Sequence, residues 1–453
     1  MFFMRLIKAI IPVFKNIHFQ SLVGNIIMSA ISLGTMALLY RAMSLVEMGV
    51  YLFFITVLTL IDTVKTGILT NSFLKFYSGT ERKRADEVAG SAWSLALIIS
   101  GALVGVNVLT FLAASYTSNA GLILFLKYFS LIMLTTLPSF MANLVVQGEK
   151  RFDHLLWMRL INQLSFIAFI IGLIILKKSS LVNIIWAYAG SNMIASLATI
   201  FMGWSKIDTL RHSTRKTLLE LFHFGKYSMG TSLSANLYGV TDTFFINFFL
   251  GPAALAVYNL AIKFVQVVEI PMLSFAASGM PSLASYYNND QKADMMNLMK
   301  KLVGMLTLAF IGIALFSIAF AEPLIRIAGG DKYVHTAAPN LLRIVISIAV
   351  LYPIDRFFAI TLEVIHRPKL NFYKMLIILA INLAGDFIGV TVFKSVYAVA
   401  IVNLFPVTVA IIISYIPLNR FHAFSFWNIF ISGFKEITGM IKQTQMKLTG
   451  STR

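Results

Sequence analysis

Apolar runs of about 20 residues, long enough to carry a helix across roughly 30 Å of hydrocarbon, recur along the whole chain. Taken from one polar interruption to the next, they predict twelve spans, at residues 19–42, 46–74, 90–115, 121–147, 156–176, 182–204, 224–250, 253–281, 299–321, 337–363, 370–393 and 396–418. With 58% of 453 residues apolar and only 12% charged, a soluble fold has too little polar surface to cover them. The alternating ten-residue segments of a membrane barrel are absent, so the expected fold class is all-α integral membrane. Residues 1–18, interrupted by Arg5, Lys8, Pro12 and Lys15, are too short to span and predict an amphipathic stretch lying on the membrane. No small-residue cleavage site precedes the first span, which argues against a cleaved signal peptide. In the tail, Trp427, Phe430, Ile431, Phe434, Ile437 and Ile441 fall at helical spacing and predict a second surface helix.

The chain carries a net charge of +18, which in a soluble protein would suggest nucleic acid as partner. Placed on the spans, the charge has a different meaning. Of 37 Lys and Arg, 26 fall on the side that holds both termini and seven on the other. That bias predicts cytoplasmic termini, as an even span count requires, and no nucleic-acid partner. The absence of cysteine excludes a disulfide framework, a thiolate metal site and a cysteine nucleophile.

The chain also resembles itself. A shift of 207 residues lays Ser21, Asn25, Ser29 and Ser32 of span 1 on Ser228, Ser232, Asn236 and Gly239 of span 7. The same shift lays Tyr51 on Tyr258 and Asp62 on Glu269; Pro138 corresponds to Pro353, and Asn192 to Asn403, after small insertions. Six spans per repeat is even, so the halves point the same way, related by a pseudo-two-fold axis along the membrane normal, as in alternating-access transporters. The expected organisation is an N-terminal stretch (1–18), a six-span bundle (19–204), a cytoplasmic linker (205–223), a second six-span bundle (224–418) and a cytoplasmic tail (419–453).

Polar residues inside the spans are the candidate functional set. Asn25 and Ser29 on span 1, and Ser232 and Asn236 on span 7, each keep to one helix face. Such stripes either line a wet cavity or let helices pack closely. Nine charges lie deep, namely Asp62, Lys65, Asp242, Lys263, Glu269, Arg343, Asp355, Arg356 and Asp386. Each costs about 2.5–3.5 kcal/mol at a helix centre, so they must meet water or one another. Lys65, Lys263, Arg343 and Arg356 are candidates for an anionic headgroup, with Asn259 and Gln266 on the strip that holds Lys263. Asp62, Glu269 and Asp242 are candidates for a coupling ion or proton. Structural ion pairing is the competing reading for all of them. Pro138, Pro271, Pro353 and Pro406 predict bends. No Walker loop, H-E-x-x-H or G-x-S-x-G occurs, and the histidines have no ligand-like spacing. Neither metal, cofactor nor enzymatic activity is expected.

The run FGKYSMGTSLSANLYGVTDTFFINFFLGPAALAVYNLA, continuing to MPSLASYYNND, carries a further signal. Its order is an FG-x-x opening, Asp242-x-x-x-Ile246, a Leu250-Gly251 turn, Tyr258 seven residues on, and a Pro281-to-Tyr286 exit. It resembles the polysaccharide transporter family of the multidrug/oligosaccharidyl-lipid/polysaccharide flippase superfamily. PLIRIAGGDKY (323–333) and GVYLFFITVLTLIDTVKTGI (49–68) are similar to the same family. The resemblance implies a multi-pass flippase carrying a polyprenyl-diphosphate-linked oligosaccharide, such as an O-antigen or other lipopolysaccharide or surface-polysaccharide repeat unit, across the bacterial inner membrane. A polysaccharide polymerase and chain-length machinery are the implied partners. A cation-coupled multidrug or small-amphiphile exporter of the same superfamily is the alternative; such a pump resembles a protein with a carboxylate on span 1, and span 1 here has none.

Overall fold

The computed structural model describes residues 17–111 and 117–448, and of these the side chains of residues 28, 30–111, 117–439 and 442. All but the last two residues of the expected N-terminal amphipathic stretch lie outside that set. Among the described residues the secondary structure is helical throughout, and ten helical spans are long and apolar enough to cross a membrane. Only 17% to 56% of each spanning window is covered by protein, so most of that apolar surface needs lipid as its solvent. The chain divides into two compact units, Met1–Asn247 with Gly251–Ala256, and Phe248–Leu250 with Val257–Arg453.

The first unit is built from α1 (Ile17–Ala42), α2 (Leu45–Tyr77), α3 (Arg82–Phe111), α4 (Ala120–Gly148), α5 (Phe152–Ile175), α6 (Leu181–Phe201) and α7 (Arg215–Phe245). Their starts follow local sequence. Ser44 and Glu47 close a capping box on α2, and Asn119, Ser180 and Thr214 accept backbone N–H groups at the starts of α4, α6 and α7. The centre of the unit is α2, packed against α3, α4 and α7. A Cβ on Gly225 of α7 would stand 2.2 Å from the carbonyl oxygen of Ile68, and one on Gly67 would stand 2.9 Å from the Cα of Met229. Glycine at both positions therefore sets how closely these two helices approach. Unlike the ten, α7 falls short in hydropathy, because Ser, Thr, Asn and Gly fill its second half.

Pro138 removes one N–H from α4, and α6 repairs the bend. The Ser196 hydroxyl accepts from the Ser139 N–H at 3.2 Å and donates to the Thr135 carbonyl at 2.5 Å, the two groups that pair directly in an unbroken helix.

Between α6 and α7 the chain is bolted to the start of α3. Trp93 Nε1 donates to the Ser205 carbonyl at 2.7 Å, and the Ser94 hydroxyl to Ser213 Oγ at 2.8 Å. The Thr214 N–H donates to Ser91 Oγ at 3.1 Å, and Arg84 pairs with Glu220 at 2.5 Å. A short 3-10 turn, Ile207–His212, lies over Gly90. Lys206 pairs with Glu149 at 2.6 Å while the Tyr77 hydroxyl donates to the same carboxylate at 3.0 Å.

The second unit takes α8 (Pro252–Asn288) from Val257 onward, followed by α9 (Lys292–Ala319), α10 (Ala321–Gly329), α11 (Asp331–Val334), α12 (Ala338–Ala349), α13 (Tyr352–Val364), α14 (Pro368–Thr391), α15 (Val396–Val402), α16 (Leu404–Phe421) and α17 (Trp427–Leu448). Two expected spans come in pieces. Span 10 breaks at Val350–Leu351, with Pro353 in the first turn of α13; span 12 breaks at Asn403, with Pro406 in the first turn of α16. The stretch between spans 9 and 10 is helical, α10 and α11 meeting at Gly330 with φ of 82°. The tail helix α17 runs antiparallel to α9: Gly433 lies on Gly304, where a Cβ would stand 2.2 Å from the Gly304 carbonyl carbon, and Lys301 pairs with Glu436 at 3.0 Å. Ile429 is buried on that side while Trp427, Ile431 and Phe434 are exposed on the other.

The Glu149 site gives the linker a pH dependence. Burial works against the carboxylate, but hydrogen bonds from Lys206 and Tyr77 outweigh it and hold the carboxyl below its usual 4.5. A depressed carboxyl stabilises docking above its unfolded value and loses that contribution as pH falls through the folded one. Hydrogen exchange over residues 205–214, corrected for intrinsic rate, is expected to accelerate on acidification below about pH 4.5. In Glu149→Gln it should already be fast at pH 7, without that acid step.

Candidate functional site

In the first unit Asp62 and Lys65 neutralise each other locally. Lys65, 1% exposed, sits one turn from Asp62 on α2 because the two are three residues apart, and their side chains meet at 2.7 Å. The remaining surroundings of the ammonium are soft: Met133 Sδ at 3.3 Å and the Phe140 ring centroid at 4.9 Å. The Asp62 side chain is 32% exposed, so the carboxylate, not the cation, reaches outward.

The polar stripe of α7 divides by role. Ser228 Oγ accepts from Asn71 Nδ2 at 2.7 Å, and Ser232 packs at Gly67, so these two serve the contact with α2. Asn236 is exposed, its amide donating to the Ser232 carbonyl at 3.0 Å. Asp242 is half-buried, with the Thr241 hydroxyl at 3.5 Å. Asn25 and Ser29 lie on α1 with side chains outside the described residues.

The second unit holds its charges differently. Lys263 is half-buried on α8, and its polar contact is a bond to Gln266 Oε1 at 3.0 Å; among the described residues it forms no ion pair. Asn259 is half-buried one turn before it, and Gln266 is exposed. Glu269 follows on the same strip, half-buried, and interacts electrostatically with Arg356 of α13, itself exposed, without an ion-pair contact. The strip therefore presents a cation, an amide and a carboxylate facing a guanidinium. Arg343 stands apart on α12, within reach of Asn340 at 2.5 Å and Glu322 at 3.6 Å.

Several polar contacts were not legible from the spans. Lys374, one turn inside span 11, is 5% exposed and pairs with Asp355 at 2.8 Å. The signal for it was Asp355 itself, a deep acid in the neighbouring span. Asn382 donates to Asp386 at 2.9 Å. In the first unit Asn162 donates to Asn192 at 3.0 Å and Gln163 to Thr35 at 2.7 Å. In the second unit Asn403 donates to the Tyr258 hydroxyl at 3.2 Å. Among the described residues no three His, Cys, Asp or Glu side chains cluster as a metal site.

Helices of this order, with paired polar strips and broken later spans, can be compared with known families. A model of the family described as polysaccharide biosynthesis protein matches residues 13–277, more than half of the chain. The chain belongs to that family. It is thereby a member of the multidrug/oligosaccharidyl-lipid/polysaccharide flippase superfamily, and a second model of that superfamily, MatE, matches residues 228–388. A curated relative, the probable low-salt glycan biosynthesis flippase Agl15 of Haloferax volcanii, is 22% identical over 264 residues, which cover 57% of this chain and 54% of that one. The match thus spans about half the length of the relative. Among solved structures, the lipid II flippase MurJ in an inward closed conformation superposes with a TM-score of 0.70 at 17% identity, over 95% of this chain and 93% of that one. An inward-facing multidrug resistance transporter of the MATE family gives 0.68 at 16% identity, over 87% and 94%. These likenesses establish the fold, the all-α transporter fold that the twelve spans and the repeat predict.

The Lys65 geometry separates a structural ion pair from a ligand site. Asp62→Asn leaves a fully buried ammonium without its counter-charge and should destabilise the protein by about 3–5 kcal/mol. The double change Asp62→Asn with Lys65→Met should recover most of that loss. Thermal unfolding in detergent measures both; additive losses would show that the two side chains do not act as a pair.

Proposed function

We propose that this protein is a flippase for polyprenyl-diphosphate-linked oligosaccharide repeat units, O-antigen or another surface polysaccharide, in the bacterial inner membrane, working by alternating access with both termini cytoplasmic. The observation that carries the reading is Lys263: a cation inside a span, without a carboxylate at ion-pair distance among the described residues, held by Gln266 on a polar strip. A span-embedded charge without a counter-ion is costly unless a ligand or water supplies one. A diphosphate is such a ligand, and a lysine binds it as a compact charge.

In this reading the diphosphate enters from the cytoplasmic side and exchanges for the Gln266 carbonyl at Lys263, with Arg356 as the second cation of the same unit. Lys65 stays in reserve, since Asp62 already satisfies it and would have to be protonated or to swing away before the ammonium could turn to cargo. The sugars meet the amides of Asn259 and Gln266 on the same strip, while the polyprenyl tail remains in lipid. Glu269, Asp62 and Asp242 are the groups through which a proton or coupling ion would act. Glu269 near Arg356 is suited to that role, because a bound phosphate competes for the same guanidinium. Arg343 lies on another helix, away from this strip. A polymerase and chain-length machinery that consume the exported unit are the partners this role requires.

The match of residues 228–388 to the MatE model favours a second reading, extrusion of a cationic amphiphile. That cargo would need an uncompensated acid where this protein has Lys263. Lys263→Ala is therefore the deciding variant. Loss of one partner of a desolvated charge pair costs about 2 kcal/mol or more, so surface-polysaccharide export should fall at least about thirtyfold at unchanged protein abundance. Lys263→Arg should keep part of the activity. Export at the wild-type level in Lys263→Ala would overturn the assignment, and increased resistance to cationic drugs in that variant would support extrusion.

A further inference from the structure

The second unit contains a groove that the cargo strip does not use. It has a volume of ≈ 350 Å³ and is lined by Ile318, Arg343, Ile344, Ser347, Ile348, Ile401 and Leu404. The lining comes from three places in the chain that lie at one level. Ile318 is in the last turn of α9, Arg343 is in the second turn of α12, and Ile401 and Leu404 flank the break between α15 and α16. At 1.5 Å per residue Arg343 is roughly 8 Å below the start of α12, about the thickness of one headgroup layer.

The chemistry of the groove is divided in the same way. Five aliphatic side chains form its walls, and the Ser347 hydroxyl is spent on the Arg343 carbonyl at 2.7 Å. Its one charge is the guanidinium. Nε donates to the Ile318 carbonyl at 3.3 Å, Nη1 to Asn340 Oδ1 at 2.5 Å, and Nη2 stands 3.6 Å from Glu322. The first two contacts fix the head in place. The third is long and open, with side chains 35% and 58% exposed, and contributes little. Five N–H donors are present and these contacts leave some of them directed outward.

We propose that this groove binds one anionic phospholipid, its phosphate on Arg343 and one acyl chain along Ile344, Ile348, Ile401 and Leu404. The occupant follows from the lining. A sugar or peptide would find no further polar group to recognise it, whereas one phosphate joined to one hydrocarbon chain matches a single cation above an apolar wall. In the orientation proposed above the lipid belongs to the outer leaflet. It would brace α12 against the α15–α16 break independently of the cargo strip.

The test uses the full chain in nanodiscs with phosphatidylglycerol bearing a photoreactive group on its acyl chain, and maps labelled peptides by mass spectrometry. Labelling is expected to concentrate on α12 and on residues 396–408, to be competed by unlabelled phosphatidylglycerol, and to resist phosphatidylcholine. Arg343→Gln should lower it roughly fivefold relative to α3 peptides in the same sample, in line with the contribution of one basic residue at a membrane surface; Arg343→Lys should keep most of it. Leu404→Trp, which fills the groove and leaves the charge, should also abolish it. In wild type, even labelling of all lipid-facing helices, or equal competition by phosphatidylcholine, would overturn the proposal whether or not the variants fold. Competition by inorganic phosphate alone would assign the guanidinium to a free anion and overturn it as well. The readout does not involve export, so it can fail while Lys263→Ala still behaves as a flippase variant should, and the reverse.

Discussion

Hydrocarbon solvates neither a peptide group nor a charge, and the architecture follows from how this chain meets that constraint. Helices satisfy the backbone internally. Where they cannot, a side chain from a neighbour is brought in, as when Ser196 bridges Ser139 and Thr135 beside Pro138. Charges are handled in three ways. Some are paired within one helix, as in Asp62–Lys65, and some between helices, as in Asp355–Lys374. Lys263 is held by an amide and, among the described residues, forms no ion pair; the cargo site proposed above rests on that unfinished compensation.

The spans were legible because apolar length is a one-dimensional property of sequence. Spans 1 to 9 and 11 appear as helices near the expected positions, and the deep charges near them were visible for the same reason. Breaks within spans 10 and 12 were not, since a proline predicts a bend but its severity depends on what packs beside it. Tyr258 and Asn403, each of which the repeat matches to a residue of the first half, touch one another, a contact that the repeat itself does not predict. Lys374 escaped because a lysine one turn inside a span usually snorkels to the surface, and only its three-dimensional neighbour, Asp355, holds it in.

The polar stripes show where sequence reasoning stops. The packing reading of span 7 holds at Ser228 and Ser232, which serve close approach to α2, while Asn236 stands exposed. Serine spacing alone cannot separate these, because a packing contact and a cavity wall ask for the same small residue at the same helical period. Likewise a polar segment between spans reads as a tether, but the bonds from Trp93, Ser91 and Arg84 make residues 205–220 part of the first unit's frame.

The contact between Gly304 and Gly433 also bears on how the molecule is made. Helix α9 is synthesised long before α17, and the glycine face that receives it has no other large side chain to fill the space. Until residues 427–448 emerge, the face of α9 around Gly304 has no α17 to pack against. Closing that face is therefore a late step in packing the second unit, and α17 acts on α9 as a latch acts on a door already hung.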